Sequence, residues 1–308
     1  MSLVVALSGG VGGAKLVLGL SRVLPPGELL VVCNTGDDFE HLGLSISPDI
    51  DTVLYTLAGL ANAELGWGRQ DESWAFMETL AAIGGETWFR LGDRDLAVHV
   101  ERTRRLLAGE DLSAITAALC ARLGIAARVV PMTDHRVRTR VRTEDGWIAF
   151  QDYFVRQQCR PVVRQIAFSG ADEARPQPEF FAALRHERLR AVVICPSNPF
   201  ISVEPILALP GVRSALAACR APVVAVSPII AGRAVKGPTT KMMAELGLDA
   251  SAAGVAARYG DLLDGYVVDH ADAADVPGAT AAQTLMKTIA DREGLARVVL
   301  ELADRLRG

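Results

Sequence analysis

The sequence predicts an α/β fold: a Rossmann-like parallel sheet with helices on both faces, carrying an attached helical region and a β-hairpin. Three observations lead there. Short apolar, β-branched runs recur at residues 3–7, 29–33, 191–195, 222–227 and 266–268, and such runs mark a parallel sheet covered on both faces. Loops of Gly, Ser, Asn and Pro follow the runs, and helical patterns alternate with them as in βαβ units. The chain has 308 residues, 50% hydrophobic and 22% charged, which excludes a disordered or collagen-like chain. At that length a fold buries roughly 75% of its unfolded surface.

The first run leads into Ser8-Gly9-Gly10-Val11-Gly12-Gly13-Ala14-Lys15 and an amphipathic stretch to Leu24, closed by Pro25-Pro26-Gly27. The second leads into Asn34-Thr35-Gly36-Asp37-Asp38. Between about 52 and 125 the pattern is mostly helical, with candidates at 52–63, 71–83 and 96–107. Residues 138–142 and 147–150 flank Thr143-Glu144-Asp145-Gly146 and read as a hairpin, within an attachment spanning about 136–178. The polar, Pro-rich stretch 170–178 reads as an exposed connection. After the last run, two helical patterns follow at about 280–292 and 294–307. No repeat or long linker divides the chain, so one α/β domain over 1–308 is expected.

Composition narrows the function. The net charge is −4, without the basic excess typical of nucleic-acid binding. The longest run free of Asp, Glu, Lys and Arg is residues 1–14, broken by four glycines, so neither a membrane span nor a secretory signal is expected and the chain reads as cytoplasmic. Five scattered cysteines lack CxxC spacing, which points to buried reduced thiols rather than zinc or disulfides.

The first loop carries the strongest local signal. Glycines between a strand and a helix let backbone N–H groups approach a phosphate, and the helix N-terminus adds partial positive charge. It is no Walker A loop, because Ala14 and Leu16 stand where Gly and Ser/Thr are needed; Lys15 likewise breaks GxGxxG. A tight structural turn is the competing account. Only four lysines occur, and Lys15, Lys236 and Lys241 fall in or beside loops at strand carboxyl ends. Asp37 and Asp38 could hold a divalent metal or a ribose hydroxyl, or simply build a turn. Ser47-Pro48-Asp49-Ile50-Asp51-Thr52 looks like a helix start with Ser47 as N-cap and Pro48 at N1. Asp49 then needs only the helix dipole, whereas Asp51 lies deeper among apolar residues. In Arg90-Leu91-Gly92-Asp93-Arg94-Asp95, Asp95 is the expected N-cap, and an arginine could clamp an anion or pair with Asp93. Ser197, Asn198 and Pro131–His135 supply further polar groups. The five histidines have no metal-ligand spacing, and no GxSxG element exists.

Taken in order, SGGVGGAKL, NTGDD, SPDIDTVLY, RLGDRDLAVH, PMTDHRV, CPSNPFIS and SPIIAGRAVKGPTTKMM, over residues 8–243, resemble the 2-phospho-L-lactate transferase family. The resemblance implies a Rossmann-like fold, a homodimer, and a role in making the deazaflavin coenzyme F-420. It implies transfer of a phosphorylated three-carbon acid from a guanosine diphosphate conjugate onto the deazaflavin Fo, releasing GMP, with Mg2+. Carried over by motif, Asp51 and Arg90 are donor-binding positions, joined by Gly9, Gly10, Gly12, Gly13, Lys15, Asn34, Ser197, Asn198 and Lys236. Asp37, Asp38 and Asp51 become metal candidates, and Asp51 and Asp38 the catalytic carboxylates. Phospholactate, phosphoenolpyruvate and phosphoglycerate donors are alternatives. A nucleotide-sugar- or dinucleotide-binding regulatory protein of the related gluconeogenesis-factor type is the rival reading, and a nicotinamide-dependent oxidoreductase a weaker one.

Overall fold

The computed structural model describes residues 2–62 and 66–308. Seven strands, labelled in chain order β1 (Leu3–Ser8), β2 (Leu29–Cys33), β3 (Arg128–Pro131), β4 (Leu189–Ile194), β5 (Val223–Val226), β6 (Gly265–Asp269) and β7 (Thr280–Ala282), form one sheet. Its order is β3-β2-β1-β4-β5-β6-β7, and every neighbouring pair is parallel. The order reverses between β1 and β4. In such sheets the crevice outside the strand carboxyl ends at that reversal is where ligands bind.

Side-chain alternation divides the core between the two faces. Val4 and Ala6 of β1 join one apolar cluster while Val5 and Leu7 join the other, and β2, β4 and β5 do the same. The first face is covered by α1 (Gly10–Val23), α2 (Pro48–Leu57) and the C-terminal helix Ile289–Arg307. The α1 and C-terminal helices meet so closely that a Cβ at Gly19 would lie 2.1 Å from the Arg292 carbonyl oxygen. The second face is covered by the short helices from 178 to 259 and by a three-stranded antiparallel sheet built from Arg138–Thr143, Gly146–Ala149 and Gln165–Ser169.

The insertion between β2 and β3 holds a hairpin (Phe39–His41 with Leu44–Ile46), then α2, α3 (Ala75–Ala82), α4 (Asp93–Leu107) and α5 (Leu112–Arg122). Here the sequence reading needs correction. The helix expected over 52–63 starts at Pro48 and ends at Leu57, while Ala63 lies outside the described residues. The helix expected over 71–83 is shorter, Ala75–Ala82, because Glu72 caps α4 and Ser73 donates its hydroxyl to Asp93, and α5 went unpredicted. The predicted helix over 280–292 is replaced by edge strand β7 and a loop. Thr288 then starts a single C-terminal helix through a capping box with Asp291. Stretch 170–178 is not a free connection: Ala171 and Ala174 are buried, and the Gln177 N–H donates to the Met132 carbonyl at 2.8 Å. Cys33, Cys120 and Cys195 are buried, and all five cysteines are unpaired. No helix among the described residues is long and apolar enough to cross a membrane.

Candidate active site

A cavity of about 740 Å³ opens at the strand carboxyl ends where the sheet order reverses. The first loop forms part of its wall. Gly9 is extended and Gly10 takes φ +66°, turning the chain from β1 directly into α1. A Cβ at Gly10 would meet nothing within 4 Å, so this glycine is required by conformation alone. The other loop glycines serve contact. A Cβ at Gly12 would sit 2.3 Å from the Pro196 oxygen, at Gly9 2.4 Å from Ser202 Cβ, and at Gly13 2.6 Å from Ser8 Oγ. The loop after β4 fills the space these glycines leave, and Ser197 Oγ fastens it by donating to the Gly9 carbonyl at 2.8 Å. Close packing therefore explains Gly12 and Gly13, and Gly13 does not line the cavity.

Lys15 and Lys236 both reach the cavity wall. Lys15 Nζ donates to the Met286 carbonyl at 3.1 Å, and burial, aided by Arg292 and Lys236, lowers its pKa. Lys236 Nζ donates to the Gly66 carbonyl at 3.1 Å. Lys241 is engaged elsewhere, paired with Glu245 and donating to the Pro161 carbonyl. Ser197 and Asn198 also line the cavity.

Asn34, at the end of β2, is a buried organiser rather than a wall residue. Its Nδ2 donates to Asp49 Oδ2 at 2.8 Å and to the Ile201 carbonyl at 3.0 Å, while its Oδ1 accepts from the Gly36 N–H at 2.8 Å. Asp49 also accepts from the Gly10 N–H at 2.6 Å. Burial pushes the Asp49 carboxyl up to about 6, although both those bonds pull it down. Asp37 is raised well above the carboxylate range, first by burial and then by Asp49, and its buried Oδ1 has no hydrogen-bond partner. Both line the cavity. Asp38 does not: it stands behind the wall, accepting from Ser47 Oγ at 2.8 Å, with burial raising it to about 7 against the pull of Arg138. Ser47 is the N-cap of α2, but its hydroxyl is spent on Asp38.

Asp51 faces a different surrounding. Both its oxygens accept from the guanidinium of Arg102, a fully buried residue of α4, with Arg102 Nη1 3.1 Å from Asp51 Oδ2. His99 Nδ1 lies 3.2 Å from the same Nη1, and His99 Nε2 lies 3.2 Å from Asp95 Oδ2. Asp95 further accepts from the Tyr55 hydroxyl. Among the described residues, Asp51, Asp95 and His99 are the one set of three metal-ligating side chains whose ligand atoms lie within 4.8 Å of one another. Asp37, Asp38 and Asp51 do not form such a set.

The Arg90 segment is held by two carboxylates. Glu72 accepts from the Arg94 and Asp95 N–H groups at the start of α4, and Asp93 accepts from Ser73 Oγ and the Ala75 and Phe76 N–H groups at the start of α3. Gly92, not Asp95, is the N-cap, and Asp93 caps its neighbour rather than pairing with Arg94. Arg90 lines the cavity, exposed, with its guanidinium 4.2 Å above the Trp74 ring. Trp67, Trp88, Phe89, Phe150 and Phe154 make much of the remaining wall aromatic.

A model of the family described as 2-phospho-L-lactate transferase CofD matches residues 4–303. The chain belongs to the CofD family. It is 44% identical to a phosphoenolpyruvate transferase of Streptomyces griseus, covering 99% of each chain, and 38% identical to a 2-phospho-L-lactate transferase of Methanospirillum hungatei, covering 96% of this chain and 98% of that one. The chain is thus an enzyme, a phosphotransferase of the 2-phospho-L-lactate or phosphoenolpyruvate transferase type, consistent with coenzyme F-420 biosynthesis. A crystal structure of a UPF0052-family protein from Bacillus halodurans shares the fold, with a TM-score of 0.63 at 15% identity over 97% of this chain and 100% of that chain.

Of the site positions expected from the sequence, Gly9, Gly10, Gly12, Lys15, Asp37, Asp51, Arg90, Ser197, Asn198 and Lys236 line the cavity, while Gly13, Asn34 and Asp38 stand behind it. The sequence reading missed Asp49, Arg102, His99 and the aromatic wall. A signal for two of them exists: Asp95, His99 and Arg102 recur at i, i+4, i+7, one face of a helix.

Proposed function

We propose that this CofD-family enzyme transfers a phosphorylated three-carbon acid from a guanosine diphosphate conjugate to the terminal ribityl hydroxyl of Fo, releasing GMP, with Mg2+. One observation carries the reading. A single cavity combines a helix N-terminus and two lysines, suited to a diphosphate, with a buried carboxylate pair and an aromatic wall suited to a flat acceptor.

The donor set fits a hard divalent cation. Asp37 and Asp49 are buried carboxylates, and among the described residues neither has a cationic partner. Mg2+ takes oxygen ligands from one or two carboxylates together with substrate phosphates. Asp37 and Asp49 would hold it, and when bound it would neutralise charge on the diphosphate. The remaining roles belong to the chain. The α1 N-terminus, Lys15 and Lys236 hold phosphate oxygens, and Arg90 recognises the anionic end of the donor. Asp51 orients the attacking hydroxyl, whose oxygen bonds to the acid-bearing phosphorus as the bond to GMP breaks, its proton passing to the departing GMP phosphate. Phosphoryl transfer asks for little covalent help, so positioning and charge neutralisation suffice.

The test is mass spectrometry of the product formed from Fo and Mg2+ with phospholactate, phosphoenolpyruvate and phosphoglycerate conjugates in turn. Fo gaining the mass of one phosphorylated acid, with equimolar GMP, is the expected outcome. No product with any donor, together with tight binding of a nucleotide-sugar or dinucleotide, would establish the regulatory reading instead. Light scattering of the same preparation tests the homodimer.

A further inference from the structure

Arg102 does not line the cavity, yet it is the largest fully buried side chain among the described residues. A buried guanidinium is costly unless paired, so its position calls for an explanation. Both terminal nitrogens donate to Asp51, and Nη1 also lies 3.2 Å from His99 Nδ1 and 3.4 Å from the Ser45 carbonyl. Arginine only donates, so its contact with His99 presents Nδ1 as the acceptor, while His99 Nε2 lies 3.2 Å from Asp95 Oδ2. A line of close contacts thus runs from Tyr55 through Asp95, His99 and Arg102 to Asp51. The spacing of Asp51, Asp95 and His99 is that of a metal site, but the centre of charge is already a guanidinium.

We propose that Arg102 is the resident cation of the Asp51–Asp95–His99 cluster: a positioning residue that keeps Asp51 oriented at the cavity wall and keeps divalent metal out of the cluster. Metal exclusion follows from charge and geometry alone. The positioning half rests on the proposed role of Asp51 toward substrate.

The experiment uses the full chain, stripped with chelator and titrated with Mn2+, read by electron spin-echo modulation. The wild type is expected to give no imidazole-nitrogen modulation, whether its Mn2+ sits on the other carboxylates or does not bind at all. Arg102→Met is expected to gain one Mn2+ with that modulation, and Arg102→Met/His99→Gln to lose it. Imidazole modulation in the wild type overturns the proposal, as does a folded Arg102→Met that gains no ion. If Arg102→Met does not fold, the wild-type spectrum and Arg102→Lys decide. Arg102→Lys keeps the charge but loses the planar fork, so kcat should fall about tenfold or more with KM within about twofold in a chain that stays folded. Wild-type kcat in Arg102→Lys overturns the positioning half. Should Fo receive no acid from any donor, the functional reading fails, while the Mn2+ spectra still decide metal exclusion.

Discussion

Asp49 and Asp51 leave the same turn of α2 and enter opposite environments. Residues two apart on a helix point about 200° away from each other. Asp49 turns toward the first loop, where it meets neutral donors, Asn34 Nδ2 and the Gly10 N–H, and the neighbouring carboxyl of Asp37. Asp51 turns toward α4, where Arg102 neutralises it. One pocket of negative charge is left open to an external cation, and the other, though Asp51 also lines the cavity, is closed to one by Arg102. The difference teaches which carboxylates are available to an external cation and which face the cavity already neutralised.

The largest effect should come from breaking the closed pocket. Asp51→Asn keeps shape but leaves Arg102 buried without its carboxylate, a loss of about 3–5 kcal/mol. Urea denaturation measures it, and stability equal to wild type would mean the guanidinium finds another partner. The open pocket should behave in the reverse way. Asp37→Asn removes a crowded charge whose Oδ1 already lacks a partner, so stability in chelator should hold or rise. Transfer at saturating substrates should nevertheless fall about 10²–10³-fold, the scale of one preorganised electrostatic contact. Full turnover in Asp37→Asn would remove this residue from the reaction.

A smaller effect sharpens the same contrast through pH. Asp49 and Asp38 are raised from 3.8 to about 6 and about 7. The native state therefore holds protons that the unfolded chain releases. That stabilisation is complete below about pH 4 and is lost as pH rises through 6 and 7. Metal-free chain should denature more easily at pH 8 than at pH 5, and Asp38→Asn should recover about 1–3 kcal/mol at pH 8, the usual cost of an unsatisfied buried polar group. Added Mg2+ should protect the wild type at pH 8. A flat profile in chelator would show that these carboxyls titrate normally.

The core strands were legible because buried parallel strands must be apolar on both faces, as the alternating assignment of Val4, Val5, Ala6 and Leu7 shows. The edges were not. Arg128–Pro131 and Thr280–Ala282 are too short to carry a period, and partners distant in sequence decide their conformation. Gln165–Ser169 escaped for the same reason, pairing with Arg138–Thr143 across the chain. In the site, the glycine loop was visible, but the reason for Gly12 was not, because Pro196 arrives from another strand end. Asp49 was hidden by a sufficient local explanation, the helix dipole. Arg102 was hidden by its neighbours, since Glu101-Arg102-Thr103-Arg104-Arg105 reads as a solvated face, and Arg104 and Arg105 do pair with Glu101 and Glu110 at the surface.

The smallest expected change in stability, and the last test, concerns the other arginine. Arg90 is the exposed counterpart of Arg102. Among the described residues it has no carboxylate partner, and the face of Trp74 holds it, with Trp67 6.4 Å from Trp74. An exposed cation–π contact is worth about 0.5–1 kcal/mol, so Arg90→Ala should barely lower the melting temperature. Its N–H groups remain free for an anion. If they bind the donor, Arg90→Ala loses about 1.5–3 kcal/mol of charge-assisted contact, and the donor KM should rise more than tenfold with the Fo KM nearly unchanged. Arg90→Lys keeps the charge but neither the fork nor the stacking plane, and should fall between. The Trp74 and Trp67 rings make the opposite outcome equally informative. A rise in the Fo KM alone would place Arg90 on the acceptor side, reverse the proposed orientation, and leave the α1 N-terminus, Lys15 and Lys236 as the donor's phosphate contacts.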